Sequence, residues 1–540
     1  MSPSKKVHVR QSVRDLQNEY DMGNKKPLED LVRAWKGIRE LPPTDKRSFF
    51  VIGGYHGEPF LTRPQVDDLS PVDTYVYWGG YCNHGNVLFP TWHRIYVLKL
   101  EQALQTIVPD VALPYWDETS QETLESGIPS ILTQEQFELD GELIDNPLRS
   151  FTLPAALVDD MDFPSEGDTN HIYEKPKGYE TVRYPLSGLV GTEDARAATE
   201  AHNAKYPHSS KNVELLNKNV KAWLAGAGPK PDPSKDSGPK PGNPHPKGDG
   251  VYWQFKNCLQ APNYTVFSNT TSAGQWNLDN SGAVVVALEQ PHNDIHLSVG
   301  GFDVPGQGES GQISGANGDM GENNTAAMDP IFFFHHCNVD RMFWLWQKQH
   351  CGKDGSFTVI PNYPGTNSSD SQGPTPGIPP GTPLGLDTPL NPFVKDAFGT
   401  VYTSRDCFDF EKLGYTYAPG SLESGKTSPQ VPEGYSTKKL TVRGIDRALF
   451  EGSFLLGVYA IAKTKNKSIQ EYYLGHYSVF SRRDVVHCAN CLTHLEVIAH
   501  FPLNNVPASQ VNDRLQFRVE IYHRKAELHP DLKYTFQVSD

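Results

Sequence analysis

No stretch of the 540-residue sequence is apolar for long enough to cross a membrane; the longest nearly apolar run, Phe454 to Ala462, falls far short of the roughly 20 residues a spanning helix needs. Basic blocks are as scarce. Lys and Arg number 49 against 64 Asp and Glu, a net charge of −15, and no long Lys/Arg run occurs, which excludes a dedicated nucleic-acid surface. The 7 cysteines, at 82, 258, 337, 351, 407, 488 and 491, form an odd and dispersed set that suits no disulfide framework. The opening MSPSKKVHVRQSV leads into no apolar core of a secretion signal, so the expected location is cytoplasmic. A repeat of fixed period is also lacking.

What remains is a soluble, globular composition, 37% hydrophobic and 11% aromatic, with room for a buried site. At roughly 100–200 residues per domain the length suggests two to four domains. Residues 228–250 and 360–390 are rich in Pro and Gly and poor in apolar side chains, and so read as surface insertions. Between them lie helical patterns. Trp92 to Val108 places Ile95, Leu98, Leu104 and Val108 at helical spacing, and His335 to His350 does the same with Val339, Met342, Phe343 and Trp346. Beyond about 436 the period changes to two, as in Val497, Ala499 and Phe501 or Phe517, Val519 and Ile521, which marks half-buried strands. The Gly/Pro/Ser-rich stretch 418–436 reads as an exposed linker between the two regions.

Histidine carries the chemistry. His56, His84 and His93 form one group, and His292, His296 and the adjacent His335 and His336 form another some two hundred residues later. On a helix the H-x3-H spacing of His292 and His296 puts both imidazoles on one face. His335 and His336 diverge by about 100°, so at most one of them reaches the same metal. Three imidazoles per group, with no carboxylate ligand at an obvious spacing, suit copper, zinc, iron or nickel rather than magnesium or calcium.

Two longer patterns carry a resemblance. H-x4-F-P-T-W-H-R-x6-E runs from His84 through Phe89, His93 and Arg94 to Glu101, and D-P-I-F-F-x2-H-x3-D runs from Asp329 through His336 to Asp340. They resemble the two copper signatures of the tyrosinase family. The likeness covers about residues 1–417, and the whole chain resembles a fungal member that retains its C-terminal domain.

That resemblance implies a mainly α, four-helix-bundle dicopper domain over 1–417, a linker at 418–436 where an activating protease cuts, and a C-terminal antiparallel β-sandwich over 437–540 that shields the site. His56, His84 and His93 would bind one copper and His292, His296 and His336 the other, with His335 in a supporting place. Cys82 would form a thioether to His84. Glu289 and Asn293 would hold the water that deprotonates a monophenol, and Asp340 would orient the ligand imidazoles, with Arg94 and Glu101 either assisting or pairing on the helix. Gly318 to Ala327 would gate the pocket. Arg10 would meet Tyr415 and Tyr417 to close the domain. Phe480, ahead of Phe454 and Tyr477, would occupy the site as a substrate placeholder. Cys488 and Cys491, assisted by His487 and His494, would receive Cu(I) from a copper chaperone. The implied activity is hydroxylation of monophenols and oxidation of o-diphenols to quinones with O2, feeding melanin synthesis. A catechol oxidase, or less closely an oxygen-carrying haemocyanin unit, is the alternative. No nucleic-acid or membrane partner is implied, and self-association is left open.

Overall fold

The computed structural model describes residues 6–57, 80–158, 174–226, 250–303, 318–373, 375–423, 431–463, 469–482, 495–523 and 528–540. No helix among them is long and apolar enough to cross a membrane. Four helices carry most of the site: α1 (Phe49–Gly54), α2 (Phe89–Ile107), α3 (Glu289–Gly300) and α4 (Ile331–His350). Both long ones start earlier than the apolar spacing predicts. Pro90 sits in the first turn of α2 and Pro330 caps α4, positions where a missing N–H costs nothing and the fixed φ suits the helix. His335 and His336 therefore lie in the second turn of α4 rather than at its start.

These helices are buried on nearly every face, α3 along its whole length and α4 from Ile331 to Gln347. A helix buried all round leaves its charged residues no water, so each must find a partner inside. Asp340 shows how. One carboxylate oxygen accepts Arg94 Nε at 2.5 Å, and the other accepts Arg10 Nη1 at 3.1 Å and the hydroxyls of Tyr415 and Tyr417 at 2.6 and 2.7 Å. Arg10 Nε also bonds Glu101 at 2.6 Å, and its guanidinium lies 3.6 Å over the Tyr415 ring. Strand β1 (His8–Arg10) pairs in parallel with β2 (Tyr415–Tyr417), placing Arg10 opposite Tyr417. The expectation that Asp340 orients imidazoles is corrected: its acceptors are filled by the groups that join the two ends of the helical region. Nor do Arg94 and Glu101 pair with each other.

Two three-stranded antiparallel sheets follow. They are built from β3 (Lys439–Asp446), β4 (Phe454–Lys463), β5 (Ile469–Val479), β6 (Glu496–Pro502), β7 (Gln516–Tyr522) and β8 (Thr535–Ser539). The strand orders are β5-β4-β7 and β6-β3-β8. Val497, Ala499 and Phe501 point inward as their period demands, sharing a core with Leu440, Val442, Leu456 and Val458. Leu455, Tyr473 and Phe480 instead join the core of the helical region, so the sheets are docked on it.

The docking surface includes a titratable group. His500 Nε2 donates to Gly274 O at 3.0 Å, and its Nδ1 meets Thr441 Oγ1 at 3.0 Å, an arrangement for the neutral ring. Burial, with Lys439 and Arg443 nearby, holds its pKa down at about 4. A depressed histidine stabilises the docked state fully above its ordinary value near 6.5, and that contribution is lost as pH falls towards 4. We expect the protease susceptibility of the region between helices and sheets to rise as pH drops from about 6.5 to 4, and His500→Gln to flatten the profile. An unchanged profile in the variant would assign the effect elsewhere.

Two of the Pro/Gly readings need revision. The 360–390 segment is not a free surface insertion: Ser368 and Ser371 are buried, Val87 N donates to Gly365 O at 2.9 Å, and Gln372 N donates to His84 O at 3.0 Å. These hydrogen bonds act beside apolar burial, since Ile378, Leu384 and Leu390 of the segment join the helical core, and a Pro/Gly-rich composition hides both. The start of the expected linker is likewise tied down, with Ser421 N donating to Asp117 at 2.8 Å and Arg341 donating to Ser421 O at 2.9 Å. Residues 424–430, and 227–249 of the other Pro/Gly segment, lie outside the described residues.

Candidate metal centre

Each histidine is delivered by a local device. Helix α1 ends at Gly54 and the chain turns through His56 and Gly57, whose φ of +84° favours glycine. A Cβ on Gly57 would lie 2.2 Å from Asn324 O, so only glycine lets the neighbouring Asn323 carbonyl approach His56 Nδ1, at 3.2 Å. Gly85 repeats the device after His84, with φ +71° and the Asp370 carbonyl 2.9 Å from where its Cβ would stand. His93, in the second turn of α2, donates Nδ1–H to Phe89 O at 2.8 Å. His292 and His296 lie one turn apart on α3; His296 Nδ1 pairs with Met320 O at 2.8 Å and His292 Nδ1 with Asn293 Oδ1 at 2.9 Å.

These partners fix the rings and free their other nitrogens. The Nε2 atoms of His56, His84, His93 and His292 are buried without a hydrogen-bond partner among the described residues. His296 Nε2 and His336 Nε2 stand 3.2 Å apart. Within the first group the ligand nitrogens lie within 4.8 Å of one another, and so do those of His292, His296, His335 and His336. The groups face each other, with His93 and His336 rings 4.6 Å apart and His84 and His292 5.6 Å apart. Burial is the largest cause holding the imidazole pKa values well below the usual range, and mutual repulsion adds to it. Neutral rings with inward lone pairs are what a metal requires. Metal–nitrogen bonds of about 2.0–2.1 Å in tetrahedral geometry place ligand nitrogens about 3.3 Å apart, so the His296–His336 spacing fits a shared ion.

His335 is the surprise of the second group. Its Nδ1 meets Glu118 Oε1 at 2.6 Å, and Asn338 Nδ2 donates to the other Glu118 oxygen at 3.0 Å. Its ring stacks on His292 at 5.3 Å, and burial pushes its pKa down to about 3. Four imidazoles thus meet where three were expected.

Glu289 accepts Gly85 N–H at 2.8 Å on one oxygen, and Thr270 N–H and O–H at 2.9 and 3.0 Å on the other. Burial raises its pKa to about 7, against the opposing pull of these donors and of Arg447. Cys82, two residues before His84, is a buried thiol whose pKa burial pushes up to about 12. Phe480 lies against the histidines, stacked on His296 at 4.1 Å and 17° and edge-on to His84 and His292 at 5.9 Å. Of its two alternatives, Phe454 stacks on Phe450 in the sheet core and Tyr477 lines a cavity between the two regions. Gly318 to Ala327 supplies the Met320 and Asn323 carbonyls that hold His296 and His56, a bracing role where gating was expected. Cys488, Cys491, His487 and His494 lie outside the described residues. Glu118 was missed because it shares no fixed spacing with the histidines, and the backbone carbonyls because they have no residue signature.

Comparison with known proteins agrees with this geometry. The family model described as the common central domain of tyrosinase matches residues 46–349. The chain is 63% identical to tyrosinase HcTyr2 of Hahella over the full length of both. It is 42% identical to a tyrosinase of Aspergillus oryzae, over 92% of this chain and 88% of that one. The solved tyrosinase of Burkholderia thailandensis at low pH superposes with a TM-score of 0.86 at 61% identity, covering 98% of this chain and all of that one. Bacterial relatives thus stand beside fungal ones, and the likeness is to the family at large rather than to its fungal branch. On the paired histidine groups and these matches together, the chain belongs to the tyrosinase family, copper oxidoreductases with a dinuclear centre.

Proposed function

We propose that the protein hydroxylates monophenols at the ortho position and oxidises o-diphenols to o-quinones with O2, and that its C-terminal sheets keep it latent. The observation that carries this reading is the Phe480 ring stacked on His296 between the two histidine groups. His56, His84 and His93 would hold one copper and His292, His296 and His336 the other, and the pair would supply O2 binding and two-electron oxidation. The chain's own part is placement. An aromatic ring at the Phe480 position has the buried, ring-lined surroundings that a phenol needs, so substrate and Phe480 compete for one space. Glu289, with a pKa near neutrality, is suited to relay a phenolic proton through water, and Asn293 sets the His292 ring.

A catechol-only oxidase is favoured by one observation: both Glu289 oxygens already accept protein donors, and Asn293 Oδ1 is held by His292 Nδ1. Oxygen uptake with tyrosine and with catechol separates the two readings. Cleavage within 424–430 is expected to raise the rate at least about tenfold, worth ~1.4 kcal/mol in barrier, and Phe480→Ala in the intact chain to give part of that gain. Full activity of the untreated wild type would remove the latency reading, and response to catechol alone would select the runner-up. We further assign Cys82 to a thioether with His84, Cys488 and Cys491 to Cu(I) receipt from a donor protein, and 418–436 to an activating protease.

A further inference from the structure

A cavity of about 100 Å3 lies between the helical region and the sheets, lined on one side by Thr270, Asn293 and Gln372 and on the other by Arg447, Tyr477 and Glu496. Arg447 follows β3 in the Arg447–Leu449 turn, fixed by its backbone N–H to Leu495 O at 3.0 Å. Its side chain is 98% buried by its 2% exposure, yet none of its three guanidinium nitrogens has a hydrogen-bond partner among the described residues. The nearby carboxylates of Glu289 and Asp446 act on Arg447 through charge, but none of the carboxylates around it accepts a hydrogen bond from its fork. Glu289 accepts Gly85 and Thr270, Asp446 accepts Ala448 N at 2.8 Å, and Glu496 is bound by both ends of Arg443 at 2.9 and 3.1 Å. Burial lowers the Arg447 pKa to about 10, which leaves it charged at neutral pH.

A buried guanidinium whose fork is empty requires acceptors, and a charge-assisted bond to an anion meets that need more strongly than water. The facing wall adds donors. Asn293 Oδ1 is taken by His292 Nδ1, so the group it has left for the cavity is its Nδ2 amide. The space exceeds what one water occupies and admits a small ion with its hydration partners.

We propose that this cavity is a binding site for a small monovalent anion of halide size, held by Arg447 from the sheets and by Asn293 and Gln372 from the helical region. The anion bridges the two regions, so its binding stabilises the docked state. The inference shares Asn293 with the catalytic reading, and its test needs no turnover.

The experiment uses the full-length copper-loaded protein and sodium bromide, with gluconate at matched ionic strength as the control. Bromide is expected to raise the thermal midpoint by a few degrees over gluconate. Anomalous diffraction from crystals in bromide is expected to show a peak within hydrogen-bonding distance of the Arg447 guanidinium. Arg447→Met should abolish both. Gln372→Glu, which supplies a carboxylate of the protein's own while keeping Arg447, should also abolish them and guards against a variant that fails to fold. Absence of the peak in wild type, a midpoint response that survives in both variants, or a peak with no midpoint response would each overturn the proposal. Halide bound only among the copper-site histidines falls in the second class.

Discussion

Asp340→Ala should cost about 3–5 kcal/mol of stability, the penalty of stripping the partner from a buried charge, because Arg10 and Arg94 would both lose it. Two tyrosine hydroxyls would lose their acceptor in the same step. Urea midpoints are the direct measurement, and a loss below about 1 kcal/mol would show that the cluster is replaceable. Acid sensitivity should follow the same residue. Burial pushes Asp340 upward, but Arg94, Arg10 and the tyrosine hydroxyls outweigh it and hold the carboxylate below its usual range. A depressed carboxylate stabilises fully above its ordinary value of about 3.9 and loses that contribution as pH falls through the lower folded value. Acid unfolding that begins below about pH 4 in wild type should therefore be blunted in Asp340→Asn, which starts less stable at neutral pH.

The second large effect concerns the paired histidines. His336→Gln is expected to remove one of two coppers and to lower phenol oxidation by at least about 1000-fold, ~4 kcal/mol in barrier, since the remaining metal has no partner across the site. His335→Gln should retain both coppers and lose roughly 10–100-fold in affinity or rate, the scale of a residue that positions a ligand. Copper analysis of the two variants separates them. If His335→Gln lost one copper and His336→Gln lost none, the assignment would be reversed, and the Glu118–His335 contact would be bracing a ligand rather than a neighbour.

The histidines were legible because metal binding constrains residue type and spacing together. His292 and His296 at i and i+4, and the fixed positions around His93 and His336, leave little freedom once a helix is granted. His56 had no such frame. Its place depends on Gly57 and on a carbonyl 267 residues away, and such pairings leave no periodic trace. Asp340 was misread for a related reason. Its spacing from His336 is local and points towards the ligands, whereas the partners that claim it come from Arg10 and Arg94, 330 and 246 residues distant. The 360–390 segment was misread because three of its few apolar residues, Ile378, Leu384 and Leu390, are buried, and composition reports neither that placement nor hydrogen bonding. The strands of the C-terminal region were legible where one face is buried, as at Val497, Ala499 and Phe501; in β7 every residue from Phe517 to Tyr522 is half-buried, so the alternation fades.

The pairing of β1 with β2 has a topological consequence. Residues 8–10 and 415–417 lie side by side, so the polypeptide between them forms a loop fastened at its neck by Arg10 and the two tyrosines. The neck itself is made without the chain that follows, so a cut beyond it leaves the pairing of 8–10 with 415–417 in place, while contacts such as Phe480 on His296 are lost with the sheets. Under the proposed latency, the sheets would leave without opening this neck, whereas loss of the first ten residues would remove Arg10 and open it from the opposite end.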